Sequence, residues 1–285
     1  MATPLDLSGS LREVLPRIRA WLQQLGIENP GLEARILLAH TLGKKQHEIF
    51  SKDHLTLTEG QRQKLDGLLR QKSKGTPTAY LLGKKEFFSR EFFVDPHVLI
   101  PRPETEELAE WVISENPQAG SLLDMCAGSG CLGITLALEI KPPSLVFVDL
   151  SPEALGVARK NAELLLDPKV NVRFIEGDLF EPVSGQKFDL VVSNPPYVLP
   201  DEYETLDPEV KDFEPQKALI LPPGDFNTRF ARGARGVMNS GAKIYIETGP
   251  RVIDELASEL TEAGFQDVLP RKDLSGKWRF LSARA

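Results

Sequence analysis

The 285-residue sequence is 41% hydrophobic and 26% charged, a balance that fits a folded globular chain and excludes a disordered one. No apolar run approaches the ~20 residues of a membrane-spanning helix. The formal net charge is -7, but residues 1–84 carry 13 Lys and Arg against 8 Asp and Glu, and the remainder carries 21 against 33. A basic first part can approach an acidic partner, whereas the acidic remainder speaks against a large duplex-DNA footprint, which needs many cations to neutralise phosphates.

The N-terminal segment MATPLDLSGSLREVLPRIRA lacks a basic start followed by an apolar core, so no signal peptide is expected. Ser10-Leu11-Arg12-Glu13 has capping-box spacing, and Leu11, Val14, Leu15, Ile18, Leu22 and Leu25 then recur at helical spacing. Asn29-Pro30-Gly31 breaks this helix, Leu32 to Leu42 resumes the period, and Gly43 closes it. Thr58 to Gln61 forms a second capping box, ahead of Leu65, Leu68 and Leu69. Helices with such stripes bury them on one another, which predicts a small helical bundle over residues 1–83.

Residues 84–104 change character. Glu86-Phe87-Phe88 and Glu91-Phe92-Phe93-Val94 flank Ser89-Arg90 as a hairpin, and Pro101 and Pro103 keep the next stretch out of helix until about Thr105. From about residue 120, apolar strands alternate with amphipathic helices. Strands are predicted over 121–126, 145–149, 172–176, 189–193, 242–247, 266–269 and 278–282, with helices notably at 131–139, 152–166 and 251–263. That alternation predicts an α/β fold with a mostly parallel, doubly wound seven-stranded sheet over 105–285.

Ligands in such sheets bind at the carboxyl ends of strands, near the point where strand order reverses. Four strand ends are suited to it. Asp124-Met125-Cys126-Ala127-Gly128-Ser129-Gly130 offers a turn that can approach a ligand closely and a helix N-terminus, although a plain strand-to-helix turn reads the same way. Asp149 ends the next strand, where a carboxylate can accept both hydroxyls of a ribose; a helix N-cap is the alternative, which Ser151 before Pro152 fills better. Gly177-Asp178-Leu179-Phe180 follows a third strand and can hold an adenine by its edge and face, although taken singly such a segment is more often just a turn. Ser193-Asn194-Pro195-Pro196-Tyr197 follows the fourth. Asn194 presents an acceptor and a donor, the two prolines stiffen the loop and leave the Pro195 carbonyl outside a local ladder, and Tyr197 adds a flat face. Together these suit a planar –NH2 group.

The series DMCAGSG, VDLSPEAL, GDLFEP and FDLVVSNPPY resembles the class I (Rossmann-like) S-adenosylmethionine-dependent methyltransferases that modify exocyclic or amide nitrogens. PRPETEEL ahead of the sheet, EPQKAL at 214–219, DLSGK at 273–277 and the helical N-terminal part narrow the resemblance to the HemK/PrmC protein-(glutamine-N5) methyltransferases, which act on peptide chain release factors. The resemblance covers nearly the whole chain. It implies S-adenosylmethionine as methyl donor and S-adenosylhomocysteine as product. It also implies that Asp124, Met125, Cys126, Ala127, Gly128 and Gly130 hold the methionine part. Asp149 and Leu150 then bind the ribose side, Asp178 and Leu179 contact the adenine, and Arg102 and Thr105 lie near the cofactor's far side. Asn194 and the Pro195 carbonyl accept the substrate amide hydrogens, while Pro196 and Tyr197 wall the pocket. No general base is assigned.

Two features depart from the family pattern. Glycine is usual where Cys126 stands, and the Gly-rich turn after the Ala-Leu pair is replaced by Leu221-Pro222-Pro223-Gly224-Asp225. Other readings remain: a ribosomal-protein glutamine methyltransferase, an adenine-N6 nucleic-acid methyltransferase acting on a flipped base, and a binding protein that has lost catalysis. PRPETE favours release factors over ribosomal proteins, and the acidic catalytic part counts against nucleic acid. Two nearby cysteines, Cys126 and Cys131, are too few for a disulfide framework or a structural zinc site, so a reducing cytoplasm and no metal are expected. The lack of a long apolar run argues against membrane contact, and a monomer is the default expectation.

Overall fold

The computed structural model describes residues 5–50 and 54–285, so the first four residues of the N-terminal segment discussed above lie outside the described residues. The chain divides into two compact units. One comprises residues up to Gly83 together with Pro208–Phe213, and the other Lys84–Asp207 together with Glu214–Ala285.

The first unit contains α1 (Leu11–Gln24), α2 (Pro30–Leu42), α3 (Gln46–Phe50), α4 (Glu59–Lys72) and α5 (Thr78–Leu82). Both capping boxes form. The Ser10 N–H donates to the Glu13 carboxylate at 2.8 Å, and the Thr58 N–H donates to Gln61 Oε1 at 2.9 Å while Thr58 Oγ1 accepts from the Gln61 N–H at 3.3 Å. Gly43 ends α2 at φ 62°, a left-handed C-cap. Leu11, Val14, Ile18 and Leu22 of α1 pack with Leu37, Leu38, Leu65 and Leu69 in one apolar core. Leu25, expected to extend the α1 stripe, lies at the C-cap and is exposed. Lys72 is buried and pairs with Glu209 at 2.5 Å.

The second unit opens with β1 (Lys84–Phe87) and β2 (Arg90–Phe93), an antiparallel hairpin. Its two turn residues, Phe88 and Ser89, have φ of 50° and 59°. Left-handed conformation at both central positions is the turn whose twist matches the flanking strands. The elements that follow are α6 (Pro103–Glu115), β3 (Ser121–Met125), α7 (Cys131–Ile140), β4 (Ser144–Asp149), α8 (Pro152–Leu165), β5 (Asn171–Glu176) and β6 (Phe188–Ser193). After them come α9 (Pro200–Tyr203), α10 (Pro208–Phe213, in the first unit), α11 (Phe226–Gly236), β7 (Met238–Glu247), α12 (Ile253–Glu262), β8 (Gln266–Lys272) and β9 (Trp278–Arg284).

The seven strands run in the order β5-β4-β3-β6-β7-β9-β8; the first five are parallel and β9 is antiparallel to both neighbours. The chain leaves β3 outward to β4 and β5, then returns to β6 on the other side of β3. Strand order therefore reverses between β3 and β6. Strand parity fills both faces. Leu123, Met125, Val146, Val148, Ile244 and Ile246 enter the core shared with α11 and α12. Their neighbours Leu122, Leu145, Phe147, Leu190, Val192 and Tyr245 enter the core on the opposite face, shared with α6, α7, α8 and the hairpin.

One polar group ties this second core together. Asn161 of α8 is fully buried; its Oδ1 accepts from the Phe93 N–H at 2.7 Å, and its Nδ2 donates to the carbonyls of Phe93 and Ser129, both at 2.9 Å. The hairpin and the glycine turn after β3 are thus fixed to one helix by a satisfied amide.

Candidate active site

The carboxyl ends of β3, β4, β5 and β6 surround a cavity of about 590 Å³ in the second unit. Its wall contains Asp124 to Gly128, Asp149 and Leu150, Asp178 and Leu179, Asn194 and Pro196, and Arg102 and Thr105. Most of the predicted residues therefore converge on one space, although they span 95 positions of sequence. Gly130, Pro195 and Tyr197 are not part of that wall. A Cβ on Gly130, at φ 74°, would meet Ala158 Cβ at 3.1 Å and Ile134 Cδ1 at 3.2 Å, so this glycine serves close helix packing.

The glycine turn is left-handed at three alternate positions, Cys126 (φ 60°), Gly128 (φ 53°) and Gly130 (φ 74°). The backbone demand explains the family's usual glycine at 126. Cysteine adopts the same conformation at a strain of about 1–2 kcal/mol, and its half-buried side chain packs against the α11-side core. A Cβ at Gly128 would meet nothing within 4 Å, so its backbone faces open cavity.

Asp124 is buried, and its carboxylate accepts the Gly133 N–H at 2.9 Å near the start of α7. Burial pushes its carboxyl well above the ordinary range, the Gly133 bond pulls it down, and nearby Asp149 adds to the rise. Asp124 therefore stands buried at the cavity, with one carboxylate oxygen tied to the start of α7. Asp149 is better placed for a ligand. One oxygen accepts the Gly128 N–H at 2.8 Å and the other the Ser151 N–H at 2.9 Å. Each carboxylate oxygen keeps a further lone pair. Burial raises this group too, against the Ser151, Gly128 and Leu150 amides. Leu150 beside it is 59% exposed at the cavity wall, an apolar surface a bound ligand can cover.

Asp178 is in an ion pair with Arg229 of α11, and Arg229 itself lines the cavity. Leu179 has φ 47° and is buried against Phe180 and Phe230 in the core. Arg102 turns its guanidinium onto the buried Glu214 at 2.6 Å, and Glu214 also accepts the Ile100 N–H at 3.0 Å. The PRPETE segment is thereby tied to the start of EPQKAL.

The fourth strand end carries a further network. Thr105 Oγ1 accepts from Asn194 Nδ2 at 3.3 Å and donates to Glu247 Oε2 at 2.7 Å. Tyr197 donates its hydroxyl to Glu247 Oε1 at 3.1 Å and accepts from Arg279 at 3.3 Å, and Arg279 reaches Asp273 at 3.4 Å. Tyr197 thus spends its hydroxyl away from the cavity, and burial with the Glu247 charge drives that hydroxyl well above its ordinary range. Glu247 is raised by burial and lowered by the hydroxyls of Thr105 and Tyr197.

Sequence reasoning missed Glu247, Arg229 and Phe226, and the cavity-lining stretch His97–Leu99. Glu247 had a signal: it is a carboxylate ending a core strand, the same cue that marked Asp149.

A cavity at the reversal of a doubly wound sheet, bordered by a glycine turn, a strand-ending aspartate and an Asn-Pro-Pro-Tyr loop, defines a Rossmann-like S-adenosylmethionine-dependent methyltransferase. The donor set fits that cofactor: open space over Gly128, a carboxylate with lone pairs to spare and uncovered leucine surface. Two family models match, the PrmC N-terminal domain over residues 13–83 and the methyltransferase small domain over 105–206. A release factor glutamine methyltransferase of Leptospira interrogans is 36% identical over 95% of this chain and 97% of its own length. The protein of the same name from Geobacter sulfurreducens is 34% identical over 96% of each chain. Among solved structures, a methyltransferase of Pyrococcus furiosus superposes with a TM-score of 0.52 at 18% identity, over 70% of this chain and 91% of that one, which bears on fold alone. The chain belongs to the release factor glutamine methyltransferase family.

Proposed function

We propose that this enzyme transfers a methyl group from S-adenosylmethionine to the side-chain nitrogen of the glutamine in the Gly-Gly-Gln loop of a peptide chain release factor. The observation that carries the proposal is the placement of Asn194 and Pro196 in the same cavity wall as Asp149 and Gly128. A planar amide can thus be held beside the cofactor's strand ends. The names of the relatives supply the substrate class.

The cofactor brings a methyl group already activated on a sulfonium. The chain's own residues hold and aim the acceptor. An amide nitrogen is a weak nucleophile because its lone pair is delocalised into the carbonyl. Asn194 Oδ1, at the cavity wall, accepts one of its hydrogens, which restrains rotation and turns the nitrogen toward the donor. Orientation and fixed dipoles then supply most of the acceleration. Neither proline donates an N–H to the loop, so its shape depends on ring stiffness and on the anchors of Tyr197. No side chain is assigned as base; the proton leaves to solvent with or after transfer.

The helical first unit, with 13 Lys and Arg against 8 Asp and Glu over residues 1–84, is proposed to dock the protein substrate, and residues 105–285 to carry the chemistry. Labelled S-adenosylmethionine incubated with a release factor, and with the same factor carrying Gln→Ala in its Gly-Gly-Gln loop, tests the assignment. Label on the intact factor alone supports it. Equal label on both, or on neither, refutes it.

A further inference from the structure

Asparagine is a useful amide receptor only in one of its two orientations. With Oδ1 toward the cavity it accepts hydrogens from a substrate –NH2; turned over, it presents its own –NH2 and repels the same group. Something must choose, and the choice is written in a chain of hydrogen bonds behind the Asn-Pro-Pro-Tyr loop.

Strand register brings the parts together. Ser193, the last residue of β6, pairs laterally with Ile246 of β7, so Asn194, just past β6, falls near Glu247, the last residue of β7. Parity then directs both toward α6, since Val192 and Tyr245, two residues earlier on each strand, face the core shared with that helix. Thr105, in the first turn of α6 behind Pro103, sits over both and bonds to both.

Chemistry fixes the direction of every bond. An arginine has only donors, so Arg279 donates to the Tyr197 oxygen at 3.3 Å. Tyr197 has one hydrogen, and it goes to Glu247 Oε1 at 3.1 Å. With Glu247 ionised, favoured by the nearby Arg279 charge, its carboxylate only accepts, so Thr105 gives its single hydrogen to Glu247 Oε2 at 2.7 Å. The Thr105 oxygen can then only accept, and what it accepts is Asn194 Nδ2–H at 3.3 Å. Asn194 is left to present Oδ1. Thr105 and Glu247 are both buried, Glu247 with 1% of its surface exposed, so water is not available to take either partner's place. A Cβ on Gly249, just past β7, would lie 3.1 Å from Tyr197 Cδ2, so the glycine leaves room for the ring.

We propose that Glu247 is the positioning residue of amide recognition: through Thr105 it sets the side-chain orientation of Asn194, and through the hydroxyl of Tyr197 it anchors the far end of the same loop. This rests on the methyl-transfer function proposed above. Glu247 touches neither substrate nor cofactor and acts only through Thr105 and Tyr197.

Glu247→Gln keeps the shape and replaces one acceptor oxygen by a donor. One of the two hydroxyls must then reverse. If Thr105 reverses, it donates toward Asn194 and selects the wrong amide face; if Tyr197 reverses, its hydrogen meets the donor-only Arg279. In the folded variant, confirmed by unchanged cofactor affinity in calorimetry, kcat/KM for the release factor falls about tenfold or more, the effect of losing one aligned hydrogen bond. Thr105→Val gives a similar fall, and Thr105→Ser, which restores the hydroxyl, recovers most of the activity. A purely packing role for Thr105 predicts the opposite order, with valine the better replacement.

The second readout needs no turnover. In the ¹⁵N–¹H spectrum of the whole protein, the Asn194 side-chain amide pair, assigned by its loss in Asn194→Ser, shifts in both Glu247→Gln and Thr105→Val. Transfer retained within about twofold in Glu247→Gln, or an Asn194 amide pair unmoved by either substitution, overturns the positioning role. A wild-type enzyme that leaves the release factor unlabelled refutes the proposed substrate instead, and the spectrum still decides the role of Glu247.

Discussion

Gly133→Ala is expected to destabilise the catalytic unit although it places alanine in a helix. Gly133 is the third residue of α7, where alanine would ordinarily stabilise by up to ~1 kcal/mol. Here a Cβ would lie 2.7 Å from Asp124 Oδ2, 2.7 Å from Phe147 Cε1 and 2.9 Å from Asp124 Cβ. Phe147 is stacked on Phe174 with ring centroids 5.0 Å apart, so its ring has little freedom to retreat. Overpacking of this kind costs about 1–3 kcal/mol. Moving Asp124 strains the bond it accepts from the Gly133 N–H, and leaving that buried carboxyl unsatisfied adds about 1–3 kcal/mol. With the alanine gain subtracted, the net expectation is a loss of about 1–5 kcal/mol, read as a lower Tm by about 2–4 °C per kcal/mol for a unit of this size. The internal control is Gly156→Ala in α8, where a Cβ meets nothing within 4 Å and up to ~1 kcal/mol of stabilisation is expected. Thermal and urea denaturation of the two variants beside the wild type decide it. A Gly133→Ala protein as stable as Gly156→Ala would refute the argument that the helix start is pressed against Asp124.

Other consequences follow from the same cavity. Asp149→Ala removes the strand-end carboxylate and should weaken S-adenosylmethionine binding about 10–100-fold in calorimetry, the range for a lost hydrogen bond to a charged group. Burial raises the Asp124 carboxyl above its unfolded value, so the folded state holds its proton more tightly and the stability tied to it is lost as pH rises through the folded value. Asp124→Asn should therefore gain on the wild type as pH rises above the ordinary carboxylate range in denaturant titrations, and a constant difference would count against this. Burial also pushes the Cys131 thiol up to about 12 and the Cys126 thiol higher still, so both should react slowly with a disulfide reagent in the native protein and rapidly in denaturant.

Much of this molecule was legible in its sequence because the signals were local. Both capping boxes, the glycine break at Gly43 and the seven apolar runs of the sheet each depend on residues within a turn or a strand of one another. Helix α11 was not marked out, since FNTRFARGARG carries glycines at 233 and 236 and reads as a poor helix by propensity. Tertiary burial of Phe226, Phe230, Ala231 and Ala234 at helical spacing overrides that. Gly233 is itself a packing glycine, since a Cβ there would lie 2.8 Å from Phe180. Arg229 and Phe226 were missed at the cavity for the same reason. The network behind Asn194 was hidden differently, because Thr105 and Glu247 stand 142 positions apart and only the β6–β7 register brings them together. Tyr197 was expected to wall the pocket; its hydroxyl is instead drawn away to Glu247 and Arg279.

The most direct measurement is single-turnover methyl transfer to a release factor at saturating S-adenosylmethionine, comparing the wild type with Asn194→Ala. A cavity with separate cofactor and amide ends predicts that Asn194→Ala binds the cofactor as the wild type does yet transfers at least about a hundredfold more slowly, the range for removing an aimed hydrogen-bonding group at the reacting centre. Transfer at the wild-type rate by Asn194→Ala would contradict the amide cradle and place the chemistry elsewhere in the protein.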